Sequence, residues 1–199
     1  SSGGGSVSCA SFGRLPWVWS ESVALDPPVV LRESGGVRTA TRAVVTSAEP
    51  EMLFLWLCQL RRAPYSYDWI DNFGRRSPRT ANPALRELAI GQRFMTIFTL
   101  TDYDSDRSLT LRMRPGWPTR AFGAITVRYQ VDPLPDDALR LSAVLWMPRN
   151  GRWLGGARRY LLAWGDLVMM RKQLRVLAGL AERDTVTRSH GAGVGVRGG

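Results

Sequence analysis

The densest group of side chains that could do chemistry lies in one short stretch of the chain. It combines phenol, indole, carboxyl and amide groups, and its members are Tyr65, Tyr67, Asp68, Trp69, Asp71 and Asn72. In an apolar cavity a few such groups would orient a ligand, and a buried carboxyl group could act as a general acid or base. The same residues could instead serve the core, because buried Tyr and Trp side chains normally find a partner there. The sequence leaves both interpretations open.

A second carboxyl group, Asp166, lies in an apolar stretch beside Trp164 and Met170. It could be another polar group of a ligand cavity, or it could form an ion pair with an arginine such as Arg171. The sequence leaves these alternatives open as well.

Metal and triad chemistry are not expected. The single histidine, His190, lies in a Gly-rich stretch that we expect to be disordered, so Ser-His-Asp triads and His-containing zinc sites have no histidine in the folded region. Residues 102–106 begin like a calcium loop, but Arg107 stands where the loop requires Gly and Met113 where it requires Glu. We therefore predict a hairpin turn there, no metal and no cofactor.

The composition indicates a globular protein with an excess of arginine. The chain has 199 residues and a net charge of +10, and Lys172 is the one lysine among 27 basic residues. The arginines are spread along the chain without a block of like charge, so nucleic acid is not the partner we expect. The apolar run from Met52 to Cys58 is too short to span a bilayer, and no signal peptide is visible. We expect a cytoplasmic protein.

The chain divides into three parts. Residues 1–36 are rich in Gly, Ser and Pro, but Trp17 and Trp19 predict that part of this leader docks on the domain. Residues 37–183 form the predicted domain. Residues 184–199 form a Gly-rich tail that we expect to be disordered.

The elements of the domain can be predicted from period and composition. A short helix is expected from Pro50 to Leu60, with Pro in its first turn, and a second from Tyr67 to Phe73. A strand is expected at 38–46 from its Thr and Val content, although it alternates poorly. Strands with one apolar and one polar face are expected at 93–103, 108–113, 125–131 and 139–147. From about residue 157 to 182 the period becomes that of one long helix. The predicted fold class is α+β, an antiparallel sheet covered by helices on one face.

Three strings in this order resemble the START-like or polyketide-cyclase superfamily of helix-grip proteins. They are the helix start at 50–57, the Ala-Pro-Tyr-Ser-Tyr-Asp-Trp-Ile-Asp-Asn segment at 63–72, and the helical stretch at 165–174. The resemblance implies a curved sheet wrapped around the C-terminal helix, with a cavity for an apolar ligand between them. The predicted ligand-binding residues are Tyr65, Tyr67, Asp68, Trp69, Asn72, Phe98, Arg112, Trp146, Trp164, Asp166 and Met170.

Three functions are compatible with these patterns. The first is binding of a hydrophobic small molecule, such as a lipid or a polyketide-like compound. The second is a cyclase or dehydratase that uses Tyr67, Asp68 or Arg112. The third is a regulatory module whose basic surface meets RNA, ribosome or membrane.

Removal of divalent ions tests the metal prediction. Because no histidine and no clustered thiolates occur in the predicted folded region, EDTA should not lower the thermal unfolding midpoint by more than about 1 °C. Differential scanning calorimetry with and without EDTA measures this, and a drop of several degrees would contradict the prediction.

Overall fold

The computed structural model describes residues 37–65, 77–148 and 156–194. Its elements in chain order are β1 (Val37–Thr46), α1 (Pro50–Cys58), β2 (Arg93–Phe94), β3 (Phe98–Asp104), β4 (Ser108–Met113), α2 (Trp117–Phe122), β5 (Thr126–Pro133), β6 (Leu139–Pro148) and α3 (Gly156–Val194). Short 3₁₀ helices cover Gln59–Arg61 and Pro83–Arg86. The leader 1–36 and the helix predicted from Tyr67 to Phe73 lie outside the described residues.

The strands form one antiparallel sheet in the order β1-β6-β5-β4-β3-β2. β1 and β6 pair along their whole length, from Val37 opposite Pro148 to Thr46 opposite Leu139. The register shifts between Leu100 and Asp102, and such a bulge bends the strand and increases its twist. The predicted fold class is confirmed: this is an α+β helix-grip fold, in which a curved sheet holds a long C-terminal helix.

One face of the sheet carries the core. In β4, Leu109 and Leu111 are fully buried in the core and Arg112 is exposed, but Ser108 and Thr110 on the predicted polar face are also buried. α3 packs on this face through Leu174, Leu177 and Ala181, all with no exposed surface, and it also contacts α1. The opposite face is less polar and less exposed than predicted. It includes the buried residues Val144, Trp146, Thr110, Thr126 and Ser142.

α3 extends beyond its predicted end. The helix continues through residues 184–194, for which the composition had predicted disorder. Contacts with α1 explain the difference: the Trp56 indole N–H donates to Asp184 Oδ2 at 3.0 Å, and the Glu49 backbone N–H donates to Thr185 Oγ1 at 3.1 Å. Arg188 adds an ion pair with Glu49 at 3.4 Å. These partners are distant in sequence, so local composition could not reveal them.

The strand predicted from Arg93 to Tyr103 is divided by a turn. Met95 and Thr96 have positive φ angles of 44° and 66°, and the chain reverses so that Phe94 pairs with Phe98. The Met95 backbone N–H donates to Leu60 O at 2.9 Å, which fixes the turn against the end of the first helical region. β-Branched Thr is unfavourable at such an angle. The local pattern therefore favoured a continuous strand, and a tertiary contact produced the turn.

The helix α2 was not predicted. It begins with Trp117 and Pro118, and Pro is favoured in a first helical turn. The Thr119 hydroxyl donates to Arg114 O at 2.6 Å and closes the connection from β4. The helix has only six residues, too few to show a helical period.

The buried thiol of Cys58 provides a test of this core. Burial raises its pKa from 9.0 to about 12. In a Cys9→Ser variant we expect no reaction with Ellman's reagent at pH 8 until urea unfolds the protein, because a protonated, inaccessible thiol does not attack.

The same shift has a consequence for stability. Because the folded-state pKa lies above the unfolded value, the stabilisation linked to Cys58 is present below pH 9 and is lost as the pH rises towards 12. A Cys58→Ala variant should lack this part of the alkaline loss in urea titrations. Rapid labelling of the native protein would contradict the buried position.

Candidate functional site

The middle of the core face is closed. The row that runs across the sheet through Leu109, Tyr129 and Ala143 is no more than 1% exposed. The Tyr129 hydroxyl donates to Gln173 Oε1 of α3 at 2.6 Å, and the Gln173 amide donates to Pro64 O. Burial raises the pKa of Tyr129, so it remains a neutral donor. This buried polar contact locks α3 onto the sheet and leaves no room for a ligand there.

The core face opens towards one end. Two rows further along, Met113 and Ile125 remain buried, whereas Phe98 and Met147 at the flanks of that row are only half-buried. Met170 of α3 packs against the core and is also half-buried. Apolar side chains at this end are therefore incompletely covered by the described residues, although those in the middle are sealed.

Three predicted site residues lie on the core side of the described structure. Phe98 and Met170 belong to the open end. Tyr65 is 1% exposed and has a positive φ of 53°, and its ring meets the Trp56 ring edge-on, with centroids 5.8 Å apart. Tyr65 thus packs the core beside α1.

Two predicted residues lie on the other face of the sheet. Arg112 pairs with Thr126, and Thr126 pairs with Trp146, so the three form a row that points away from the face on which α3 packs. Arg112 is exposed and Trp146 is 1% exposed. The remaining predicted residues are Tyr67, Asp68, Trp69 and Asn72, outside the described residues, and Trp164 and Asp166, whose backbone lies in α3 but whose side chains are not described.

Sequence reasoning missed a groove of about 420 Å³ between the edge strand β1 and α3. It is lined by Arg42, Ala43, Val44, Val45, Arg171, Arg175, Ala178, Gly179 and Glu182. The helical members recur every three or four positions and so form one stripe of α3. That spacing was visible in the sequence, but nothing there indicated that β1 would supply a third arginine.

Arg42 is the unusual residue of this groove. It lies on the core face of β1, opposite Ala143, and only 2% of it is exposed. Desolvation, together with repulsion from Arg171, lowers the pKa of Arg42 from 12.5 to about 10. One guanidinium N–H donates to Thr41 O at 2.5 Å. Burial and the neighbouring Arg171 therefore both act against the charged form of Arg42.

The described residues limit the chemistry further. Across residues 37–65, 77–148 and 156–194, no three His, Cys, Asp or Glu side chains are grouped as metal ligands. His190 lies on the exposed part of α3, where its Nδ1 is 2.8 Å from Val186 O. None of the helices in this part of the chain is both long enough and apolar enough to span a bilayer.

No family model matches the chain, and no curated protein matches it. Among solved structures it is similar to a protein from Mesorhizobium loti, at 17% identity over 73% of this chain and 98% of that one, with a TM-score of 0.45. The aromatase/cyclase Zhui from Streptomyces sp. R1128 is 16% identical over 74% of this chain and 95% of its own, with a TM-score of 0.45. Ara h 8.0201 is 9% identical over 73% of this chain and 98% of its own, with a TM-score of 0.46. These TM-scores are low, so the helix-grip assignment depends on the strand order and the long helix of this chain itself.

Replacement of Arg42 tests whether its buried charge lowers the free energy of unfolding. An Arg42→Met variant keeps most of the side-chain volume and removes the buried charge, so the free energy of unfolding should rise by about 1 kcal/mol. Arg175 is exposed, so Arg175→Met should change the free energy of unfolding by less than about 0.5 kcal/mol. Urea denaturation measures both variants, and a marked loss of stability in Arg42→Met would mean that local interactions more than repay the burial.

Proposed function

We propose that this protein binds an apolar small molecule, such as a lipid or a polyketide-like compound, at the open end of the core face. The observation that carries the proposal is the change in burial along that face. The Tyr129 row is sealed, whereas Phe98, Met147 and Met170 at the open end are half-buried. Incompletely covered apolar surface beside a core is typical of a ligand site. We also propose a cytoplasmic location, as the sequence predicts.

The residues at the open end suit a ligand without charge. Phe98, Met113, Ile125, Met147 and Met170 are all apolar, and Met side chains adapt to irregular shapes. The buried polar groups of Tyr129 and Gln173 in the middle of the core face bond to each other. Affinity would therefore come from burial of apolar area, on the order of 25 cal/mol per Å².

The apolar residues of the open end support a binding site, whereas the cyclase hypothesis depends on other residues. The cyclase hypothesis depends on Tyr67, Asp68 and Arg112. Of these, Arg112 is exposed on the face away from α3, and the other two lie outside the described residues. The residues described at the open end therefore include none of these three candidate catalytic residues.

Filling the open end should separate a ligand site from a solid core. In Met170→Trp the larger side chain would occupy space at that end, so the affinity for Nile red, a neutral apolar probe, should fall about tenfold with little loss of stability. If this end of the core is instead fully packed, the larger side chain should lower the free energy of unfolding by about 1–3 kcal/mol. Fluorescence titration and urea unfolding give the two quantities.

Val186→Trp is the matched control, because Val186 lies on the same helix and is 54% exposed. Val186→Trp should change neither the affinity for Nile red nor the free energy of unfolding. Absence of Nile red binding by the parent protein, together with a large stability loss in Met170→Trp, would refute the proposed function.

A further inference from the structure

The connection between β4 and β5 lies at the open end of the core face. It joins Met113 to Ile125, which are neighbours in the row that marks this end, and the Met113 backbone N–H donates to Ile125 O at 2.8 Å. The connection contains α2, whose first residue, Trp117, is 67% exposed. Most of the Trp117 ring is therefore accessible, whatever contacts the rest of it makes.

The position of Trp117 is fixed by the residues on either side of it. Pro118 is buried, and the Thr119 hydroxyl donates to Arg114 O at 2.6 Å. The Arg114 backbone N–H donates to Ile97 O at 2.8 Å, which ties the connection to the turn before β3. One exposed apolar residue is ordinary on a protein surface, but this ring stands on a fixed backbone at the end where the core is incompletely covered.

The same end of the sheet is basic. Arg112 and Arg120 are exposed and Arg114 is half-buried, and none of the three forms an ion pair within the described part of the chain. The sequence contains no Asp or Glu from residue 107 to residue 131. The acidic residues of this part of the sheet lie at the other end of the strands, at the turns that follow β3 and β5, and are Asp104, Asp106, Asp132, Asp136 and Asp137.

We propose that the open end docks on the surface of an anionic lipid bilayer, with Trp117 in the interfacial layer and the arginines against the headgroups. The Trp ring is apolar and carries one N–H group, and Trp is enriched at the membrane–water interface for this reason. Arginines close to an anionic leaflet are attracted to it. The inference rests on the proposed function, since an apolar ligand of low solubility would enter the open end from the bilayer.

The apolar side chains of this end favour a bilayer over a nucleic acid. A single strand follows a positive groove in which successive bases stack on aromatic rings. Phe98, Met147 and Met170 are half-buried at the open end and have no group that could bond to the edge of a base. They offer hydrocarbon surface, which matches the acyl chains beneath the headgroups.

Sedimentation of the full chain with vesicles tests the docking. Vesicles of phosphatidylcholine with phosphatidylserine are compared with vesicles of phosphatidylcholine alone. Binding should require phosphatidylserine and should weaken as the NaCl concentration rises, because salt screens exposed charges.

A matched pair of charge variants locates the surface. Arg120→Gln removes an exposed charge next to Trp117 and should weaken vesicle binding about fivefold. Arg107→Gln makes the same change at an exposed position just before β4, at the opposite end of that strand, and should weaken it less than about twofold.

A second set of variants tests the ring. Trp117→Ala should weaken vesicle binding about tenfold, whereas Trp117→Phe should keep most of it because a large apolar ring remains. Val186→Ala is the control, since Val186 is 54% exposed on the C-terminal part of α3, far from the open end. The urea midpoint of unfolding should not change in any of these variants.

Nile red titration without vesicles separates this proposal from the proposed function. Nile red binding without vesicle binding would overturn the docking surface alone, whereas vesicle binding with the expected variant losses but no Nile red binding would support the docking surface and refute the apolar site. The docking surface would also be overturned by equal losses in Arg120→Gln and Arg107→Gln, by unchanged binding of Trp117→Ala, or by an oligonucleotide that binds more tightly than the vesicles.

Discussion

The structure depends on the packing of the C-terminal half of α3 into the sheet. Leu174, Leu177 and Ala181 are completely buried there, and the Tyr129–Gln173 hydrogen bond fixes the helix against the middle of the sheet. On its other side the same helix meets α1, where Trp56 donates to Asp184. A helix held by two partners cannot rotate or slide without breaking buried contacts. The groove between β1 and α3 is therefore defined by how this helix packs against the sheet.

The helix separates two environments because neighbouring positions differ by about 100° around its axis. Met170 and Leu174 face the sheet, whereas Arg171 and Arg175, one position further along, face the groove at β1. The apolar open end and the charged groove are thus two sides of one element. A ligand in one region would not need to displace the contacts of the other.

Arg42 is the residue at which stability and electrostatics oppose each other. Its side chain lies on the core face of β1, on the same side as Ala40 and Val44, which contribute to the core. Burial and Arg171 both disfavour its charge. A buried charge is costly unless it is paired and hydrogen-bonded, so the contacts around Arg42 must offset this cost.

The sequence by itself determined the strand and helix order, because periods of two and 3.6 record which side of each element is buried. It thus predicted β4, β5, β6 and the continuity of α3. It did not determine the turn at Met95, the helical extension to Val194 or the groove arginines, since each depends on partners far apart in the chain. Arg42 and Arg175 are separated by more than half of the sequence, and only the pairing of β1 with β6 and the docking of α3 bring them to one groove. The period of apolar residues in the sequence indicates which side chains are buried. Which arginines come to lie close together depends on the tertiary packing.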